Sequence, residues 1–417
     1  WNNDYINAEK NGFTPIFFPK AKEVFENKIK DVCTNECSSI AYKSCGNIVD
    51  ICKMKKSIGL GVMYAIVYNK YFDNPYRPFN MVSDFNADPY FIGFYTLGMH
   101  LVGIVSWIKD YCCHNHIHKL HFLARDGYMP MKAYNILTNN NKELPDSNYM
   151  YASRKSVLPG MIQSLSDFYD LPIEYKNHSP KTLLKILDFA IKNISYDEIE
   201  KICENKSISY NKIFKTKEEY LDFIRLFLQE LYDEERFIES YKMAKEYYSS
   251  VGENDITFDM GYSGRIQKAI SNLADKGVDV LFVHSDNELS AKMKRLGKFS
   301  ILDYYDFIPH VSGLLREHIL SDYCGGCIGF RRTEKGVEPI LEQGRKIFQD
   351  LFVLQTMQKG ALDFVNSFNT MFNDYFDYVP FHKLEVSLPF EGYLRNAKDI
   401  DKKIFSASYF EDFIYGA

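Results

Sequence analysis

The segment Leu120-His-Phe-Leu-Ala-Arg-Asp-Gly-Tyr128 constrains this chain most. Leu120 to Ala124 is a short apolar run, the pattern of a buried strand, and it stops at Arg125-Asp126-Gly127. Helical spacing starts at once, with Tyr128, Met131, Ala133, Tyr134 and Leu137. An apolar strand, a polar glycine turn and a helix are how open α/β sheets present ligand sites at the carboxyl edge of a strand. The arrangement recurs three times. Tyr149-Met-Tyr-Ala152 ends at Ser153-Arg154-Lys155, and Asp255-Ile-Thr-Phe258 ends at Asp259-Met-Gly-Tyr-Ser-Gly264. Val278 to Val283 ends at His284-Ser285-Asp286. The expected fold class is α/β, with a mainly parallel, Rossmann-like sheet.

In a parallel sheet these strand ends converge on one edge. Gly261-x-Ser263-Gly264 opens a helix, so free backbone N–H groups and the helix dipole face whatever lies there, a geometry that suits phosphate. Arg125, Arg154, Lys155 and Arg265 supply charge-assisted donors for the same group. Gly127 and Ser153 complete the expected binding set. Asp126 and Asp259 are the candidate catalytic carboxylates; they could also hold Mg²⁺ or accept hydrogen bonds from sugar hydroxyls. Each motif has a plainer alternative. Gly-Tyr-Ser-Gly could be only a tight turn, Arg125-Asp126 an internal ion pair, and Ser153-Arg154 a helix cap with a surface Arg. Ser263 is no hydrolase nucleophile, since the Gly-x-Ser-x-Gly pattern is absent.

Other segments set the organisation. Residues 165–250 turn helical, over 182–194, 196–205, 217–232 and 236–249, and are expected to form an insertion that could close over the site. Phe91 to Ile108 contains no Asp, Glu, Lys or Arg and is near the minimum for a membrane span. Its glycines at 93, 98 and 103 favour a helix packed beneath the sheet, without membrane contact. His114, His116, His118 and His121 form a histidine-rich approach to the first strand, read as a polar loop rather than a metal site. A hairpin is expected from 328–332 to 337–341, then a long helix from about 346 to 372. Residues 20–56 read as polar helix. They contain Cys33, Cys37, Cys45 and Cys52, at no spacing that marks a zinc site. Cys324-Gly-Gly-Cys327 reads as a glycine turn with two thiols.

Composition narrows the class. Hydrophobic residues are 46% and charged residues 25% of the 417, ordinary values for a globular chain. A net charge of −5 gives no basic field to recruit nucleic acid. Nine cysteines, an odd number in no regular framework, suit free thiols in the cytoplasm.

The first residues carry a resemblance. Asp4-x-x-x-Ala8-x-x-x-Gly12-Phe13 leads into an apolar run to Phe18 that reads as a strand. It resembles the last motif of the haloacid dehalogenase (HAD) hydrolase superfamily, where an Asp helps hold Mg²⁺. With Phe122-Leu-Ala-Arg-Asp-Gly-Tyr128, Tyr151-Ala-Ser-Arg154 and Phe258-Asp-Met-Gly-Tyr-Ser-Gly264 in that order, the chain is similar to large HAD-type hydrolases associated with glycosyltransferases in bacterial surface-polysaccharide gene clusters. The resemblance implies that residues 1–20 are the end of an upstream HAD domain, with Asp4 as a Mg²⁺ ligand. The implied ligand is a phosphorylated or nucleotide-linked sugar, and the implied partners are glycosyltransferases. The superfamily's nucleophilic Asp, its second Asp, its Ser/Thr and its Lys have no counterpart here, so this chain alone is expected not to hydrolyse phosphate esters. The expected organisation is the HAD remnant at 1–20, a helical linker region at 21–90, an α/β domain at 91–345 and a helical tail at 346–417. Two alternatives stay open: a non-catalytic scaffold recruiting glycosyltransferases, and a phosphoribosyltransferase-like or glycosyltransferase domain.

Overall fold

The computed structural model describes residues 2–16, 58–71, 85, 87–139, 141, 143–305, 313–344, 347–372 and 383–408. The expected helix at 20–56, with its four cysteines, lies outside them. The chain divides into two compact units. One comprises residues 1–107, 310–315 and 352–407; the other comprises 108–309, 316–351 and 408–417.

The second unit is α/β. Its sheet has five parallel strands: β1 (Lys119–Leu123), β2 (Asp146–Met150), β3 (Asp255–Asp259), β4 (Val280–Phe282) and β5 (Ile301–Asp303). Their spatial order is β2-β1-β3-β4-β5, with every neighbouring pair parallel. This order reverses direction between β1 and β3, the switch point where doubly wound sheets open a crevice at their carboxyl ends. Leu120, Phe122, Ile256, Phe258, Val280, Leu281 and Phe282 are buried, as strands covered on both faces require. One polar rung crosses them. The buried His121 ring sits 3.0 Å from the Asp255 carboxylate through Nε2 and 2.9 Å from the Asn148 amide through Nδ1. Burial lowers its pKa despite the Asp255 bond. His121 is therefore a sheet component. His114 ends a helix, its ring 2.6 Å from the Asp110 carbonyl.

Between β2 and β3 lies the helical insertion. Its α-helices are Pro180–Ile186, Tyr196–Asn205, Lys217–Leu226 and Glu234–Tyr248. Ser179, Ser195, Thr216 and Asp233 cap them by accepting backbone N–H groups. The insertion has its own core, built around Phe168, Leu183, Phe223 and Phe227. After β5, the strands β6 (Cys327–Thr333) and β7 (Gly336–Leu341) form the expected antiparallel hairpin. Phe330 of the hairpin packs on Tyr247 with ring centroids 4.5 Å apart.

The other unit is helical in its described part. The apolar helix Pro89–Asn115 has 89% of its most hydrophobic window buried, and its residues to Trp107 belong to this unit. Gly93 and Gly98 permit close approach to another helix of the same unit. A Cβ on Gly93 would fall 1.9 Å from the Met357 carbonyl oxygen, and one on Gly98 would strike the Phe364 side chain at 2.5 Å. Both partners lie on the long helix Phe348–Phe372. The first helical segment ends as a Schellman motif. Gly12 has φ +80°, its N–H bonds Glu9 O at 3.0 Å, and the Phe13 N–H bonds Ala8 O at 3.0 Å. The strand expected from Phe13 is not formed over 13–16, and 17–18 lie outside the described residues.

Candidate functional site

A cleft of about 390 Å³ opens at the carboxyl ends of β1, β2 and β3. The strands deliver Arg125 and Asp126, then Ser153, Arg154 and Lys155, then Asp259 and Gly261 to Gln267, all to its wall. Further segments contribute: Glu317 from the helix Gly313–Leu320, Met161 and Pro172 from the insertion side, Phe282 at the end of β4, Leu289 from the helix Asn287–Gly297, Gly326 to Ile328 at the start of the hairpin, and Glu342 after it.

The glycine turn is built as its sequence suggests. Gly261 has φ +123° and packs so close to β4's exit that a Cβ would lie 2.0 Å from the His284 carbonyl oxygen. Gly264, at φ +73°, is the N-cap of the helix Arg265–Leu273. As a glycine, the N-cap residue has no side chain to cap the helix, and Ser263 Oγ meets only the first N–H, that of Arg265, at 3.4 Å. Its first N–H groups are therefore directed at the cleft end of the helix, where the dipole favours negative charge.

Four carboxylates line this space, Asp126, Asp259, Glu317 and Glu342. Burial first, then the charges of Glu317 and Asp259, hold the Asp126 carboxyl well above the usual range, against the opposing pull of Arg125 and Arg154. Asp259 is pushed up to about 7, again by burial first and with Glu317 adding to it. The Met260 N–H and Arg154 act the other way. The Met260 N–H donates to Asp259 Oδ1 at 2.8 Å. Arg154 thus acts on both aspartates. Burial and Glu317 also raise the Tyr262 hydroxyl, against Arg316. Glu317 was not singled out by sequence. Its one signal was an Arg-Glu-His run, 316–318, inside an otherwise apolar helix, where charges need a reason to be buried.

The remaining sequence candidates divide. Ser153 lines the cleft, but its hydroxyl is engaged: it donates to Cys327 O at 2.5 Å and accepts from the Ser156 N–H at 3.0 Å. Lys155 lines the cleft and pairs with Asp188 at 3.3 Å. Ser263 Oγ accepts from the Arg265 N–H at 3.4 Å, a local turn bond. Gly127 is not among the cleft's wall residues. Its N–H bonds Leu123 O at 2.8 Å, and a Cβ there would lie 2.9 Å from that of Phe122, so it is a packing glycine. The His284-Ser285-Asp286 end does not reach the wall. Ser285 donates to Asp303 at 2.6 Å, and Asp286 caps the helix Asn287–Gly297. Asp4 is exposed and belongs to the other compact unit. Cys112, Cys113, Cys203, Cys324 and Cys327 are free thiols. Burial pushes the Cys324 thiol up to about 12, which keeps it protonated and unreactive.

The sheet and its edge define an α/β protein of the doubly wound parallel class, with a charged cleft at the switch point. No protein-family model matches the chain, and no curated protein matches it.

Proposed function

We propose that the cleft binds a phosphorylated or nucleotide-linked sugar and carries acid–base group transfer at its phosphate linkage. The observation that carries this reading is the convergence of Arg125, Arg154 and the glycine-turn start of the helix Arg265–Leu273 on a cleft shared with Asp126, Asp259 and Glu317. The arginines and helix N–H groups suit a phosphate. A carboxyl holding its proton to about pH 7 suits a general acid or base poised at neutrality. Asp259 is the group assigned that role, and burial and Glu317 sustain its raised proton affinity. The cleft also supports a ligand site over the scaffold alternative, which needs no pocket at this edge.

Mg²⁺ fits this donor set as a shared ion. Among the described residues no three His, Cys, Asp or Glu side chains come close enough to hold a metal by themselves. Mg²⁺ is commonly held by one or two carboxylates together with substrate phosphates. Asp126 and Asp259 would supply that protein share, and the ion would neutralise phosphate charge. The HAD-type setting, surface-polysaccharide assembly with partner glycosyltransferases, belongs to the same proposal. So does a cytoplasmic location, which the free thiols support.

The test is calorimetric titration of the chain with UDP-glucose and with inorganic pyrophosphate, with and without Mg²⁺. Binding of either is expected, and Arg154→Ala should weaken it by about 1–3 kcal/mol, the scale of a lost hydrogen bond to a charged group. No binding by the folded parent protein, or an Arg154→Ala variant that binds equally well, would remove the phosphate reading.

A further inference from the structure

Beside the cleft, four tyrosine rings form a continuous strip. Tyr323 and Tyr128 have centroids 6.4 Å apart, Tyr128 and Tyr149 6.1 Å, and Tyr149 and Tyr151 5.4 Å. Tyr323 is 41% exposed, and the other three are half-buried. The strip is tied to the cleft wall. The Tyr149 hydroxyl donates to the Arg125 carbonyl at 3.5 Å, and the Asp322 N–H donates to the same oxygen at 3.1 Å. Tyr151 precedes Arg154 by three residues, a reach of at most about 10 Å of extended chain. Asp322 sits along the strip. Its Oδ2 accepts the Tyr149 hydroxyl at 3.4 Å, and its Oδ1 accepts the N–H groups of Tyr323 and Cys324 at 2.7 and 3.3 Å.

We infer that this strip is a glycosyl subsite, holding the sugar ring of a sugar phosphate or nucleotide sugar whose phosphate lies in the arginine cleft. The inference rests on the phosphate reading and adds which part of the ligand the protein grips. Half-exposed aromatic rings with polar tips offer an apolar face and hydrogen bonds together. A sugar ring needs that combination, an apolar C–H face with hydroxyls around its rim. Asp322 accepts from those hydroxyls. The angles between successive rings are 75°, 66° and 69°, so no two neighbours lie parallel to sandwich a flat nucleobase. A stepped surface suits a puckered ring.

The experiment uses the whole chain and compares inorganic phosphate, UDP, and the 1-phosphates of glucose, galactose and mannose. At least one hexose 1-phosphate is expected to bind about tenfold tighter than phosphate, a gain of the size one aromatic contact provides. Tyr323→Ala, on an exposed ring, should remove most of that gain and leave phosphate binding in place, with its thermal melting checked against the parent. Saturation-transfer NMR on the parent protein, irradiating tyrosine resonances, should label the sugar-ring protons most strongly. The subsite is overturned if no hexose 1-phosphate exceeds phosphate, if Tyr323→Ala keeps the full gain, or if saturation falls on the uracil of UDP instead. Failure of the parent to bind phosphate in any form would remove the cleft reading and this inference together. Phosphate binding without a sugar gain removes this inference alone.

Discussion

Asp259→Asn is expected to be more stable than the parent protein at pH 8, by on the order of 2–4 kcal/mol. The folded protein holds the Asp259 proton to about pH 7, whereas an unfolded aspartate releases it near 4. Below about pH 4 both states are protonated and the group contributes no difference. Between about 4 and 7 the folded state binds more protons than the unfolded one, so stability falls as pH rises. Above that window the loss is complete. Asn mimics the neutral carboxyl and keeps an oxygen for the Met260 N–H, so it avoids the loss without giving up that bond. Urea midpoints at pH 4 and pH 8 test this; at pH 4 the difference should shrink below about 1 kcal/mol. A variant equally or less stable at pH 8 would mean that Arg154 compensates the ionised carboxylate fully. The same variant gives a functional readout. An ionised Asp259 repels the diphosphate of UDP-glucose, which has no proton to lose in this range. Without Mg²⁺, parent affinity should therefore fall as pH rises through about 7, and Asp259→Asn should stay flat.

The parts of this architecture that were legible in sequence share one property: the local signal and the tertiary role coincide. β1 and β3 are central strands buried on both faces, so each appears as an apolar run ending abruptly in charge. The glycine turn was legible because Gly261 and Gly264 occupy positive φ, where the residue choice itself records the conformation. β2 was expected three residues too late. It is an edge strand, Asp146-Ser-Asn-Tyr-Met150, whose partly exposed polar residues leave no apolar run, so only its last two residues fell inside the expected segment. β5 has three residues and sits at the other edge, too short to leave a periodic pattern.

Polar residues at strand ends that bond within the chain follow the same logic. A Ser, Lys or Asp at a strand end carries the same chemistry whether it meets a ligand or its own chain. Ser153, Lys155 and Asp286 meet Cys327, Asp188 and a helix start, respectively. Such partners lie far along the chain or depend on the backbone path, which local spacing does not encode. Glu317 is the converse case. Its helix contributes no strand to the sheet, so topology alone gave no reason to look there.

Gly261→Ala is expected to destabilise the protein by on the order of 3–5 kcal/mol and to abolish anion binding in whatever remains folded. Two costs coincide at this position. The backbone has φ +123°, a region side chains rarely adopt, and the new Cβ would stand 2.0 Å from the His284 carbonyl oxygen. That oxygen is backbone just past β4, and the His284 N–H bonds Met260 O at 3.4 Å, so neither side can turn away as a flexible side chain would. Relief requires the 261–264 turn to move off β4. It would carry with it Tyr262, whose ring lies 4.4 Å from that of His284, and the helix start that faces the cleft. Gly264→Ala separates the two costs. Its φ is +73°, but the nearest atoms to a Cβ are 3.4 Å away or farther, so only the left-handed backbone penalty of about 1–2 kcal/mol applies. Denaturation of the two variants side by side should therefore place Gly261→Ala at least about 1 kcal/mol below Gly264→Ala. Equal losses would show that the turn is free to shift, and a turn free to shift could not hold backbone N–H groups in register with a phosphate between Arg125 and Arg154.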